Sequence, residues 1–99
     1  MSYREHAPAT ALAPWLACAW ERRGDAGAPV RVVPDGCIDI VWTEGSGTQV
    51  AGPNTTAFVV ALPAGVRVAG VRTRPGAGAA LLGVDAAALR DAHLPLADV

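Results

Sequence analysis

Two segments of this 99-residue chain hold the residues whose types and spacing best suit polar chemistry. The first is Pro34-Asp35-Gly36-Cys37-Ile38-Asp39-Ile40-Val41-Trp42, where two carboxylates, a thiol and an indole fall within a few positions. The second is Val71-Arg72-Thr73-Arg74-Pro75, which supplies two guanidinium groups. Carboxylates, an aromatic ring and an arginine gathered at the mouth of a small barrel would form a polar ligand site. The candidate ligand-binding residues are therefore Asp35, Cys37, Asp39, Trp42, Arg72 and Arg74. A plainer reading runs beside this one, in which Asp35 stabilises its own turn and Asp39 is the solvent side of a half-buried strand.

Catalytic and metal chemistry find less support. No Gly-x-Ser-x-Gly elbow exists, and Ser2 and Ser46 lie at an end and at a loop tip. A dyad of Cys18 or Cys37 with His6 or His93 has nothing local behind it. Those four are the only Cys and His residues, none with the paired spacing that zinc sites use, so neither a metal nor a cofactor is expected. Both His are expected outside the strands, which removes the clustered ligands of a cupin-type metalloenzyme. With no export signal to imply an oxidising compartment, both thiols are expected as small buried apolar residues. Gly76-Ala77-Gly78 lacks the third glycine of a dinucleotide fingerprint, and the chain has no lysine for a phosphate loop, so it reads as a tight strand-to-helix turn. No enzyme is expected.

The elements that would carry these residues are mostly strands. Leu12, Trp15, Leu16 and Ala19 have helical spacing, so a short helix is expected over Thr10–Leu16 with Thr10 as its cap and Pro14 limiting its length. From Ala17 the period becomes two, a strand that enters a loop at Gly24–Pro29. Val30–Val33 is a strand ended by the turn Pro34-Asp35-Gly36. Cys37–Thr43 alternates most clearly, with Ile38, Ile40 and Trp42 on one face and Asp39, Val41 and Thr43 on the other. A hairpin loop at Glu44–Gly47 leads to Thr48–Ala51, a turn at Gly52–Thr55 to Ala57–Leu62, and Pro63-Ala64-Gly65 to Val66–Thr73. In that last strand, burying Val66 and Val68 by strict alternation would also bury Arg72 and Arg74. We expect a bulge at Gly70 to shift the phase and turn both Arg outward; the other outcome is an Arg that points into a cavity. A helix opened by Pro75 and stopped by Gly83, then a second over Ala86–Ala92 capped by Asp85, complete the chain. The expected fold is mainly β (α+β): a small barrel or sandwich of about six strands, with an N-terminal helix and two C-terminal helices, forming a single domain over residues 1–99.

Composition narrows the function classes. Ala, Gly, Pro and Arg fill 48 of 99 positions, as a GC-rich coding sequence would dictate, so the absence of Lys reflects codon supply. Eight Arg balance nine carboxylates, and a net charge of -1 offers no basic excess to nucleic acid or to an anionic membrane. The apolar run Ala57–Leu62 falls far short of the roughly 18 residues that a membrane span needs. Met1-Ser2-Tyr3-Arg4-Glu5-His6 lacks the character of a signal peptide, so the cytoplasm is the expected location.

Several segments occur in an order that carries a resemblance: Tyr3-Arg4-Glu5-His6, Leu12-Ala13-Pro14-Trp15, Val33-Pro34-Asp35-Gly36-Cys37-Ile38-Asp39-Ile40, Ala51-Gly52-Pro53-Asn54-Thr55, Gly70-Val71-Arg72-Thr73-Arg74-Pro75-Gly76-Ala77, and Leu81-Leu82-Gly83 through Leu94-Pro95-Leu96-Ala97-Asp98. Together they resemble the N-terminal domain of AraC-family transcriptional regulators, in the subgroup whose N-terminal part has no assigned ligand. The resemblance implies a cupin-like barrel with flanking helices that senses a small-molecule effector or mediates dimerisation. It also implies a separate C-terminal helix-turn-helix domain for DNA, which these 99 residues do not include. A homodimer is the expected assembly, with DNA reached only through that further domain and no membrane partner. Thr73 departs from the subgroup, which usually has an aromatic residue there, and is expected to enlarge or polarise the interior.

Overall fold

Alternation of apolar and polar residues dictates most of this chain's backbone, because each strand must show one face to a core and the other to something polar. The structure is a computed structural model that describes residues 2–25 and 30–99. Among these are eight strands: β1 (Ser2–His6), β2 (Leu16–Arg23), β3 (Val30–Val32), β4 (Asp39–Thr43), β5 (Gly47–Ala51), β6 (Phe58–Val60), β7 (Arg67–Thr73) and β8 (His93–Pro95). Six of them form one sheet in the order β1-β2-β7-β4-β5-β8, and β3 pairs with β6 in a second. All pairings are antiparallel. The large sheet ends at β1 and β8 without closing, so the fold is an open two-sheet arrangement instead of a barrel.

Helix is scarcer than the sequence pattern predicts. Thr10–Leu12 forms a single 3-10 turn with no side-chain cap, and Leu16 already belongs to β2. Pro14 supplies no N–H to a helix, and the Trp15 carbonyl accepts from the Arg74 N–H at 2.8 Å, which commits the segment to the sheet. The helix α1 (Ala77–Leu82) ends at Gly83 as expected, but it begins at Ala77 and not at Pro75, because Pro75 and the left-handed Gly76 form a turn before it. The helix expected over Ala86–Ala92 is instead a 3-10 turn, Ala86–Leu89. Its Asp85 cap is present, with Oδ1 accepting from the Ala87 N–H at 3.0 Å. Asp91 then takes a positive φ of 56°, which turns the chain into β8. β1 and β8 went unforeseen because one is polar throughout apart from Tyr3 and the other is a three-residue edge containing Pro95. His6 and His93 consequently lie in strands, contrary to expectation. The loop expected at Gly24–Pro29 lies partly outside the described residues.

The apolar core occupies one face of the large sheet. Ile38, Val50 and Leu89 are buried together, with Ala79, Leu82 and Val84 packed against them. Burial of each of the three large side chains contributes roughly 2 kcal/mol. Thr73 is fully buried on this same face and donates its hydroxyl to the Ile38 carbonyl at 2.7 Å. It faces away from the space between the sheets, so, contrary to expectation, it does not enlarge that interior. The opposite face of the large sheet looks toward the β3–β6 sheet, and there the molecule is hollow.

Candidate functional site

Register lays out the hollow face in rows. Cross-strand partners point to the same side of a sheet, so Cys18, Arg72, Asp39, Ala51 and His93 form one row across β2, β7, β4, β5 and β8. The next row along is Glu5, Trp20, Gly70, Val41 and Gln49, and the third is Tyr3, Arg22, Val68 and Thr43. Val30, Val32, Val60 and Leu62, in and beside the small sheet, close the other side of a cavity of about 300 Å³. That volume lies at the lower end of the range for small-molecule sites.

Arg72 is the centre of the first row. Its side chain is 27% exposed, and Nη1 lies 3.3 Å from Glu5 Oε1 while Nε lies 3.3 Å from Asp35 Oδ2. Nε is also 3.6 Å from Asp39 Oδ1, yet it is aligned with none of these oxygens well enough to form a hydrogen bond. Nη1 contacts the Cys18 sulfur at 3.9 Å. Burial works against the guanidinium charge, but the Asp39 carboxylate and the Tyr3 hydroxyl outweigh it, so Arg72 holds its proton more firmly than a free arginine. Asp35 is set by its own turn, where Oδ1 accepts from the Cys37 N–H at 2.9 Å. It serves the turn and the cluster at once.

The phase of β7 does not shift at Gly70. Pairing runs through Trp20–Gly70 without a break, and the irregularity lies in β2, between Leu16 and Cys18. Arg72 therefore faces the cavity and Arg74 the other side, where its Nε donates to the Ala13 carbonyl at 2.7 Å. The expected bulge is replaced by a different use of Gly70. A Cβ there would stand 2.5 Å from Trp20 Cζ2, so the missing side chain is what lets the indole lie across β7. From that position Trp20 Nε1 donates to Asp39 Oδ2 at 3.2 Å.

Of the six candidates, Asp35, Cys37, Asp39 and Arg72 line the cavity together. Arg74 does not, and Trp42 lies on the opposite face of β4, 39% exposed, in a groove with Arg4, Arg23 and Arg67. Trp20, Tyr3 and Glu5 complete the site without having been singled out. Trp20 was detectable, since it shares the period-two face of Cys18. Tyr3 and Glu5 were not, because nothing local shows β1 pairing with β2.

The two thiols flank Arg72, Cys18 from β2 and Cys37 from the turn that leads into β4. Both are free. Each is half-buried, and burial raises both pKa values, helped at Cys37 by the Asp35 charge, which keeps both as neutral thiols. Among the described residues no cluster of three or more His, Cys, Asp and Glu is arranged to hold a metal.

Asp39 is the most perturbed carboxyl. Burial raises its pKa from 3.8 to about 6, the Asp35 charge adds to the rise, and Arg72 and Trp20 only partly oppose it. The folded chain thus binds this proton more tightly than the unfolded chain between pH 4 and 6. Its contribution to stability is full below that window and is lost as pH rises through it, by on the order of 2–3 kcal/mol. In urea titrations the wild type should lose ground against Asp39→Asn as pH rises from 4 to 7. A stability difference that stays constant across this range would contradict the assignment.

The fold and cavity together define an open, two-sheet β protein with a polar cluster at one end of its interior. The chain belongs to the family described as Domain of unknown function (DUF6597), whose model matches residues 4–95. No curated protein and no solved structure matches the chain. No helix among the described residues is long and apolar enough to cross a membrane.

Proposed function

We propose that this chain is the effector-sensing domain of an AraC-like transcriptional regulator, binding a small molecule between its two sheets. The observation that carries the reading is the cavity of about 300 Å³ with the Arg72 cluster at one end. A domain that only held two subunits together would gain stability from a filled apolar interior, and this one instead keeps a half-buried guanidinium and a half-buried carboxylate there. The sequence resemblance supplies the regulatory context, and the opposed sheets are an open counterpart of the cupin-like barrel it implies. Binding would bias how the sheets close on one another and so how an attached DNA-binding domain is held. Dimerisation and cytoplasmic residence belong to the same proposal.

A thermal-shift screen against small polar metabolites tests it. At saturating concentration a true effector should raise Tm by several degrees in the wild type and by much less in Asp39→Asn. If no compound stabilises the wild type, the sensing role fails.

A further inference from the structure

The charges that line the cavity are sorted by position. At the first row, Asp35 and Asp39 face the cavity with Arg72, and Glu5 closes on the same guanidinium. Three carboxylates around one guanidinium leave this end with surplus negative charge. The third row lies four residues further along β2, roughly 13 Å of backbone, with the side chains closer because the Tyr3 hydroxyl donates to Glu5 Oε1 at 2.8 Å. There Arg22 stands over the Tyr3 ring, 4.7 Å from its centroid, with its Nε buried and lacking a hydrogen-bond partner. Between the two ends the Trp20 ring, 6.3 Å from that of Tyr3, forms an aromatic floor, and the valines of β3 roof it.

We infer that the effector is a zwitterion with separated ends, an ω-amino acid or a close chemical relative. Its ammonium group sits against Asp39 and Asp35, its aliphatic body over Trp20, and its carboxylate against Arg22. A simple anion would meet the acidic end, where Arg72 is already surrounded by carboxylates. A simple cation would leave the buried Arg22 Nε without a hydrogen-bond acceptor. A ligand with both charges answers both ends, and charge-assisted hydrogen bonds at each would fix its direction. The inference rests on the sensing role proposed above and adds the chemistry of the ligand.

Calorimetric titration of the full chain with three matched series tests it: ω-amino acids of increasing length, the n-alkylamines and the alkanoates. An ω-amino acid of fitting length should bind at least about tenfold more tightly than the amine or the acid of equal length. Asp39→Asn should abolish its advantage over the alkanoate, and Arg22→Gln its advantage over the amine. Affinity should also rise from pH 5 to pH 7, as Asp39 ionises among Glu5, Asp35, Arg72, Cys18, Cys37 and His93. The wild-type comparison needs no variant to fold. An alkanoate or alkylamine that binds as tightly as the ω-amino acid overturns the inference. If none of the three series binds while the metabolite screen yields another stabilising compound, the zwitterion falls and the sensing role stands; if nothing binds in either experiment, both fall.

Discussion

Replacing Gly52 with alanine should destabilise the fold by about 3 kcal/mol or more, and lower Tm by roughly 15 °C. A Cβ at this position would lie 1.6 Å from the carbonyl oxygen of Leu89 and 2.6 Å from its carbonyl carbon. Both are backbone atoms, so no rotamer change relieves the overlap. Gly52 also donates its N–H to the Ala92 carbonyl at 2.8 Å, which ties the end of β5 to the chain entering β8. Making room for one methyl group means parting these segments and withdrawing Leu89 from its contacts with Ile38 and Val50. Urea denaturation followed by circular dichroism measures the effect. A loss below 1 kcal/mol would show that the segment around Leu89 can retreat freely.

Gly70→Val should cost less stability, about 2 kcal/mol, and more function. The new side chain would occupy the space of the Trp20 indole, whose Cζ2, Cε2 and Nε1 all lie within 3.0 Å of the Cβ position. Displacing the ring breaks its hydrogen bond to Asp39 and leaves that carboxylate with Arg72 as its remaining close partner. The ring must then move into the cavity or out of the sheet, and either movement removes the aromatic floor. In a background carrying Trp15→Phe and Trp42→Phe, which are exposed positions, Trp20 fluorescence reports the displacement directly. Stabilisation by any effector should vanish. A variant with wild-type fluorescence and wild-type ligand response would show that the indole does not depend on Gly70.

Much of this architecture is legible residue by residue. The alternation of Ile38, Ile40 and Trp42 against Asp39, Val41 and Thr43 is the alternation of β4, and the Glu44–Gly47 loop and the Asp85 cap occur where turn and capping chemistry place them. The same alternation separates Trp42 from Asp39, so a site containing both asks one strand to present both faces. Arg72 and Arg74 cannot be told apart from the segment alone, because an intact phase and a bulge at Gly70 fit the same residues. What decides between them is Trp20, fifty positions earlier, which needs the room that Gly70 leaves. Glu5 is beyond local reasoning for the same cause: its approach to Arg72 depends on two strand pairings that no short window contains.

The central place of β7 has a consequence for how the molecule comes into being. Its neighbours β2 and β4 both precede it in the chain, and Arg72 meets Cys18 across 54 residues of sequence. Before β7 arrives, the β1–β2 pair and the β4–β5 hairpin can form locally, each with an open edge. Insertion of one strand then joins them, and the loop entropy of that step is met before its contacts are gained. Assembly is therefore limited by topology, as in other proteins dominated by distant pairings, on a scale of milliseconds to seconds. The recognition surface has no partial existence along the way: Glu5, Cys18, Asp35 and Asp39 acquire their common partner in a single event, the docking of Arg67–Thr73.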